Sequence, residues 1–202
     1  MSTSKRPIGV QLYHHGDLRT ALLAAARHTI EQEGFDALSL RQVAEQVGVS
    51  SAAPYRHFKD KNALLAAVAV EGFAALQEAC RSVRDFRNPR KRLMADVRAL
   101  IDFAAARPGL FRLMFDSGLP GDGETAEPAL LAYASVERGV AAVLPGRSDK
   151  AIKARTIFLW SMVHGLIVLR RNHRLKPFMP GEMNEDEAIE TLLTSAIDAV
   201  RR

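Results

Sequence analysis

The feature that most limits what this chain can fold into is a pair of short apolar-faced segments hinged at Val47-Gly48-Val49-Ser50. Upstream, Ser39-Leu40-Arg41-Gln42 has the spacing of a capping box, in which the Ser and Gln side chains close a helix's first turn reciprocally. Val43, Ala44 and Val47 then share one face, and the small Ala44 permits a close helix crossing. Gly48 supplies a turn at positive φ without strain, and Val49 plugs the core shared by the pair. Ser50 is placed to cap a second helix of roughly seven or eight residues, too short to be stable alone. Pro54 falls in its first turns and removes a donor, so that helix is expected to be short or distorted. It needs a scaffold, which helices predicted on either side provide.

Those helices follow from apolar period and end signals. Asp17 is placed to cap the first, Leu18–Glu33, whose inner face carries Leu18, Leu22, Ala25, Ala26 and Ile30 and which stops at Gly34. Asp60 opens a long helix to about Val83. Asn88-Pro89 opens another that ends before Pro108, pairing a cap residue with proline at the first helical position. A short apolar segment, Gly109–Phe115, precedes a loop rich in Gly, Pro and acid over Ser117–Thr125. Further helices are predicted over Ala126–Leu144, Ser148–Asn172 and Glu185–Arg201, with Arg174–Gly181 irregular. No segment alternates as a strand does. The expectation is an all-α chain of about nine helices, with a small N-terminal domain over residues 1–62 and a larger helical one over 63–202.

Composition excludes other classes. The 202 residues are 48% hydrophobic and 25% charged, ordinary for a globular protein and unlike a disordered chain. Cys80 is the sole cysteine, which rules out an intrachain disulfide framework and a cysteine-based zinc finger. The longest apolar run, Thr156–Leu169, has 14 residues, short of the roughly 20 that span a membrane. Met1–Asp17 has no apolar stretch of the signal-peptide kind. The histidines lack metal-ligand spacing, and no phosphate loop or nucleophile elbow appears. An enzyme is therefore not expected, nor a metal or cofactor.

A helix held as the hinged pair holds its second member fits the ~12 Å major groove of DNA. Tyr55, His57 and Lys61 are suited to phosphate oxygens, which position a protein without reading sequence. Ser51, Ala52 and Ala53 begin the second helix, where small side chains allow approach to base edges. The blander reading of Tyr55 and His57 is packing alone. Residues 1–61 hold eight Lys and Arg against six Asp and Glu, so one copy binds a polyanion weakly and two would bind better. Lys5-Arg6 is either a basic arm or a solvated tail.

The run Gly34–Leu65 resembles the TetR/AcrR family of bacterial transcriptional regulators. The matching residues are Ser39, Ala44, Gly48, Val49, Ser50, Tyr55, Phe58, Lys61 and Leu64; Ala52 stands where the family often has glycine. The Ala52–Phe58 run and Trp160-Ser161-Met162-Val163-His164-Gly165 resemble a subgroup with a Trp-His-Gly effector domain. The resemblance implies DNA contacts at Ser39, Arg41, Ser50, Ser51, Ala52, Ala53, Tyr55, His57 and Lys61, with Phe58 locking the small domain. It also implies a homodimer on a double-stranded operator in the bacterial cytoplasm, most simply a repressor released by a small apolar effector. An activator, or a regulator partnered by a protein, is the alternative.

Phe103, Leu110, Phe111, Met114, Phe115, Trp160 and His164 form the candidate effector pocket. His164 is either its polar group or a satisfied core residue. The last helix carries one apolar stripe, Ile189, Leu192, Leu193, Ala196, Ile197 and Val200. With Val163 and Leu166 it is the candidate dimer face, as in an intermolecular four-helix bundle. Gly165 costs about 1 kcal/mol against alanine in a helix, so either close helix approach or room for a ligand is expected there. The basic cluster Arg81, Arg84, Arg87, Arg90, Lys91 and Arg92 reads as solvated surface.

Overall fold

A computed structural model describes residues 18–82, 87–118, 125–178 and 183–201. The proposed cap Asp17, the Lys5-Arg6 segment, Arg84 and most of the expected loop before Thr125 lie outside the described residues. Those that are described form eight α-helices and two 3₁₀ turns, with no strand among them. The helices are α1 (Leu18–Glu33), α2 (Leu40–Val47), α3 (Lys61–Ser82), α4 (Pro89–Ala106), α5 (Pro108–Asp116), α6 (Ala126–Val143), α7 (Asp149–Arg171) and α8 (Glu185–Arg201). The expected domain boundary falls in the first turn of α3, which runs on without a break.

Local chemistry explains the ends. Asp60 Oδ1 accepts from Ala63 N at 2.8 Å, Asn88 Oδ1 from Arg90 N at 2.9 Å, and Ser148 Oγ from Ala151 N at 3.4 Å. At Ser39 only half of the expected capping box forms. Ser39 Oγ accepts from Gln42 N at 3.1 Å, but the Gln42 amide turns to Glu33, 3.4 Å away. Donating Nε2–H to the Glu33 carboxylate on α1 turns the Gln42 side chain away from the Ser39 N–H that its oxygen would accept. The reciprocal box forms instead at α8, between Asn184 and Glu187.

One core runs through the molecule. Leu22, Ala26 and Ile30 of α1, Val43 of α2, Leu64 and Val68 of α3, and Leu113 of α5 are all buried. α3 and α7 are long and apolar enough, by length and composition alone, to cross a membrane. In this fold α3 supplies core, through Leu64, Leu65, Val68, Phe73 and Leu76. α7 packs its own inner face through Thr156, Leu159, Val163, Leu166 and Ile167.

The N-terminal region is fastened to the rest where α5 begins. Glu31 on α1 accepts from Gly109 N at 3.0 Å and Leu110 N at 2.9 Å. These are orphan donors of a helix start, and a carboxylate there gains from both the bonds and the helix dipole. Gly109 makes the approach possible: a Cβ at this position would lie 2.4 Å from the Ile30 carbonyl oxygen. Backbone is on both sides, so nothing can swing away. Gly109→Ala is accordingly expected to cost about 1–3 kcal/mol, as overpacking does. A lowered urea midpoint checks it; an unchanged midpoint would show that the two helices do not meet this closely.

Candidate nucleic-acid interface and internal cavity

The hinge between α2 and the next element closes as the sequence suggests. Gly48 sits at φ +78°, Val49 N donates to Ala44 O at 3.0 Å, and Gly48 N donates to Glu45 O at 3.1 Å. This pair of bonds is the Schellman closure of a helix end. Val43 and Ala44 are buried below it.

The element after the hinge is a 3₁₀ turn, Ala53–Arg56, rather than the expected helix of seven or eight residues. In an α-helix the Ser50 carbonyl would receive the N–H of residue 54, and Pro54 has none. The carbonyl takes Ala53 N instead, at 2.9 Å, which is the 3₁₀ bond. The Ser50 hydroxyl makes no capping bond, contrary to expectation. Phe58, 3% exposed, then pins the turn to the core, with the Arg19 guanidinium 5.4 Å from its ring centroid.

Pinning Phe58 inside leaves its neighbours outside. Tyr55 is 59% exposed, and Ser51, Ala52, His57, Arg56, Arg41 and Lys59 are exposed with it. Ser39 and Ser50 are exposed beside them, and Ala53 is half-buried. A Tyr hydroxyl and Arg and Lys side chains exposed on one short stretch are groups suited to phosphate oxygens. Lys61 stands apart, because its Nζ donates to the Asp36 carbonyl at 2.8 Å and holds the α1–α2 loop. Arg56, which no sequence pattern singles out, projects beside Tyr55.

A cavity of about 520 Å³ opens between α3, α4 and α6, within the usual range for small-molecule sites. Its apolar walls include Phe73, Leu76, Leu93, Val97, Leu131 and Trp160. Of the candidate pocket residues only Trp160 lines it. Phe103, Leu110, Phe111, Met114, Phe115 and His164 belong to adjoining packed core. Rings there touch rings: Phe111–Phe115 centroids are 4.7 Å apart, Phe115–Trp160 5.6 Å, Phe73–Phe115 5.4 Å and Trp160–His164 4.4 Å. Sequence spacing finds the aromatics but not that they fill one another's space. The signal that points to the cavity is α6, apolar in composition yet with only Val140 buried, because its inner side faces the open space.

His164 Nδ1 lies 3.1 Å from the Trp160 carbonyl oxygen, which can only accept, so Nδ1 carries the proton. Burial pushes its pKa below the usual histidine value, against the raising effect of that bond and of Asp116. His164 is thus a neutral core residue. Cys80 lines the cavity, but burial, reinforced by Asp96, pushes its thiol up to about 11, against the opposing Arg92 charge. It stays protonated and unreactive. Among the described residues no group of His, Cys, Asp and Glu is gathered to hold a metal.

Residues 22–68 match the family model described as bacterial regulatory proteins, tetR family. Residues 93–196 match the tetracyclin repressor-like C-terminal domain. The chain belongs to the TetR family. Family members of this kind are DNA-binding regulators and not enzymes. The chain is 32% identical over 108 residues to the nucleoid occlusion factor SlmA of Vibrio vulnificus, covering 52% of this chain and 55% of that one. It is 32% identical over 100 residues to the HTH-type transcriptional activator FasR of Mycolicibacterium smegmatis, covering 49% and 46%. It spans about half the length of these curated relatives. A Rhodococcus sp. RHA1 protein of unknown function superposes with TM-score 0.74 at 33% identity, covering 96% of this chain and 98% of that one. A TetR family transcription regulator from Marinobacter aquaeolei VT8 shares the fold, with TM-score 0.66 at 21% identity over 91% and 95%.

The candidate dimer stripe needs correction. Val163, Leu166, Ile189, Leu193, Ala196, Ile197 and Val200 are buried within the chain itself, which uses them in its own packing. Leu192 remains outside, and other exposed large apolar side chains are Ile157, Phe158, Val168 and Leu169 of α7 and Leu130 and Leu131 of α6. The stripe has the expected period, but the helix packs it inward because α4 and α7 already lie against it. Arg90 bonds Asp198 and Arg98 bonds Asp186 to seat α8 on α4, so Arg90 of the basic cluster is not free surface.

For the DNA face, Tyr55→Ala should lower affinity for duplex DNA at least tenfold while shifting stability by no more than about 0.5 kcal/mol, as for an exposed site. Fluorescence anisotropy on a labelled duplex, paired with urea unfolding, separates the two. Undiminished binding would remove Tyr55 from the interface.

Proposed function

We propose that this protein is a ligand-responsive transcriptional repressor, binding a palindromic operator as a homodimer and released by a small apolar effector in the α3–α4–α6 cavity. The observation that carries the reading is a continuous chain of contacts from the cavity wall to α1, beside the exposed turn. Trp160 and Phe73 line the cavity and meet Phe115 of α5 edge-to-face, and the first amides of α5 are held by Glu31 of α1. A ligand that displaces those rings shifts α5, and with it α1 and the hinge below. It must prefer the displaced state to shift the equilibrium. The DNA contacts fall to Tyr55, His57, Arg41, Ser39 and Ser50, with Ser51, Ala52 and Ala53 nearest the bases. Lys61 contributes from the loop it holds.

The exposed α7 face supports the dimer. Gly165 lies at its centre, exposed, between Ser161 and Val168, and an added Cβ there would meet nothing within 4 Å. A glycine that the subunit does not need is explained by a second copy packing closely over it. The Trp160–His164 contact supports a Trp-His-Gly subgroup reading, and a DNA-binding role is consistent with a cytoplasmic protein. FasR is named an activator, so the second reading keeps the same DNA and ligand chemistry with opposite polarity, decided by where the operator lies relative to the promoter.

Two measurements test this. Duplexes selected from a random pool at about 150 mM salt should share an inverted repeat with half-sites about one helical turn apart. Recovery of a single half-site, or of no motif, would contradict the dimeric reader. Gly165→Leu should leave the subunit folded, since leucine is the better helix former, and convert the sedimenting dimer to a monomer. A dimer unchanged by Gly165→Leu would place the interface elsewhere.

A further inference from the structure

We propose that the α3–α4–α6 cavity takes an anionic amphiphile, with a carboxylate head held at its α3–α4 turn end by Arg81, Arg92 and Arg138 and an apolar body laid toward Trp160. This deepens the effector reading above and rests on it.

The helix register separates the two ends. Cys80 of α3 reaches the Asp96 carbonyl of α4, 3.9 Å away, so the two helices run antiparallel out of their turn, with Arg81 and Arg92 at the turn end. Leu93 Cδ1 stands 2.9 Å from the Cβ position of Gly139, so Arg138 of α6 joins that same end. Further back along α6, Tyr133 meets Trp160 at 6.2 Å between ring centroids, and Trp160 reaches Phe73 through Phe115. That end of the cavity is lined by Val70, Phe73, Leu100, Leu131 and Trp160. Two of the three arginines come from the basic cluster that sequence alone reads as solvated surface.

The counter-charges do not cancel this end. Asp96 is the carboxylate lining it, and it is taken by Arg92 at 3.0 Å. Glu78 lies 3.7 Å from Arg81 in an exposed pair, and Glu127 lies at the opposite, apolar end. Arg138 has no ion pair among the described residues. Each guanidinium carries five N–H donors, so all three keep donors for an added carboxylate. A neutral alcohol would leave the head end unneutralised, and an ammonium would be repelled.

Trp160 is the only tryptophan in the chain, so its fluorescence reports occupancy directly, without DNA. The experiment titrates the protein with decanoate and decylammonium below their micellar concentrations and 1-decanol below its solubility limit, and follows release of the selected operator in parallel. Decanoate should change Trp160 emission at roughly tenfold lower concentration than decanol, the worth of one charge-assisted bond. Decylammonium should bind weakest. Arg138→Gln, at an exposed position without an ion pair, should cost decanoate roughly tenfold and leave decanol unchanged. Equal affinity for all three, no emission change with any, or an Arg138→Gln variant that keeps the preference for decanoate would overturn the proposal. If decanol or decylammonium binds and releases operator while decanoate does neither, the effector cavity stands and the anionic head falls. If decanoate binds in the expected order but releases nothing, the head-group assignment stands and the effector reading falls.

Discussion

Two hydrogen bonds from the start of α5 to the Glu31 carboxylate join α1 to the helices packed behind it. A helix N-terminus leaves backbone donors without partners, and burying them uncompensated costs about 1–3 kcal/mol each. Here the partner is supplied by another helix rather than by a local cap, so satisfying α5 and fastening α1 are one event. Arg107, at the usual cap position, makes no capping bond from its side chain. Phe115 of α5 then packs against Phe73 and Trp160 of the cavity wall, and Phe58 is buried beneath the exposed turn. Interiors packed this densely transmit displacement rather than absorb it.

The turn after the Gly48 hinge shows how one residue reshapes a motif without spoiling it. Pro54 withholds a donor from Ser50, and the recognition element tightens into a single 3₁₀ turn. The turn survives because Phe58 and buried Pro54 hold it from below, so it needs little helical stability of its own. Its outward residues are consequently set by anchoring rather than by helix propensity, which is why Tyr55 and His57 remain exposed.

Much of this is legible in the sequence where the cause is local. The caps at Asp60, Asn88 and Ser148, the glycine turn at Gly48 and the inner faces of α1 and α2 depend on residues a few positions apart. The match of residues 22–68 to the TetR family model agrees with the resemblance read from Gly34–Leu65. Legibility ends where distant parts compete. Gln42 chooses Glu33 over Ser39 because a carboxylate happens to lie on the next helix. The α8 stripe is correctly periodic, yet period does not say whose core it enters. The aromatic residues of α5 and α7 pack on one another, and the space falls instead between α6 and the earlier pair α3 and α4, with α5 intervening in the chain. Arg81 and Arg92 look like surface charge because their shared end becomes visible only when α3 and α4 fold back on each other.

The central claim is that the Glu31–α5 joint couples the cavity to the DNA face. Amide hydrogen exchange at Gly109 and Leu110 tests it most directly, measured in the operator complex before and after adding a ligand that alters Trp160 emission and releases the DNA. Both amides should exchange slowly in the complex and at least roughly tenfold faster once the ligand is bound, while core amides such as Leu64 keep their protection. Release of the operator with unchanged exchange at Gly109 and Leu110 would show that the signal travels by another route.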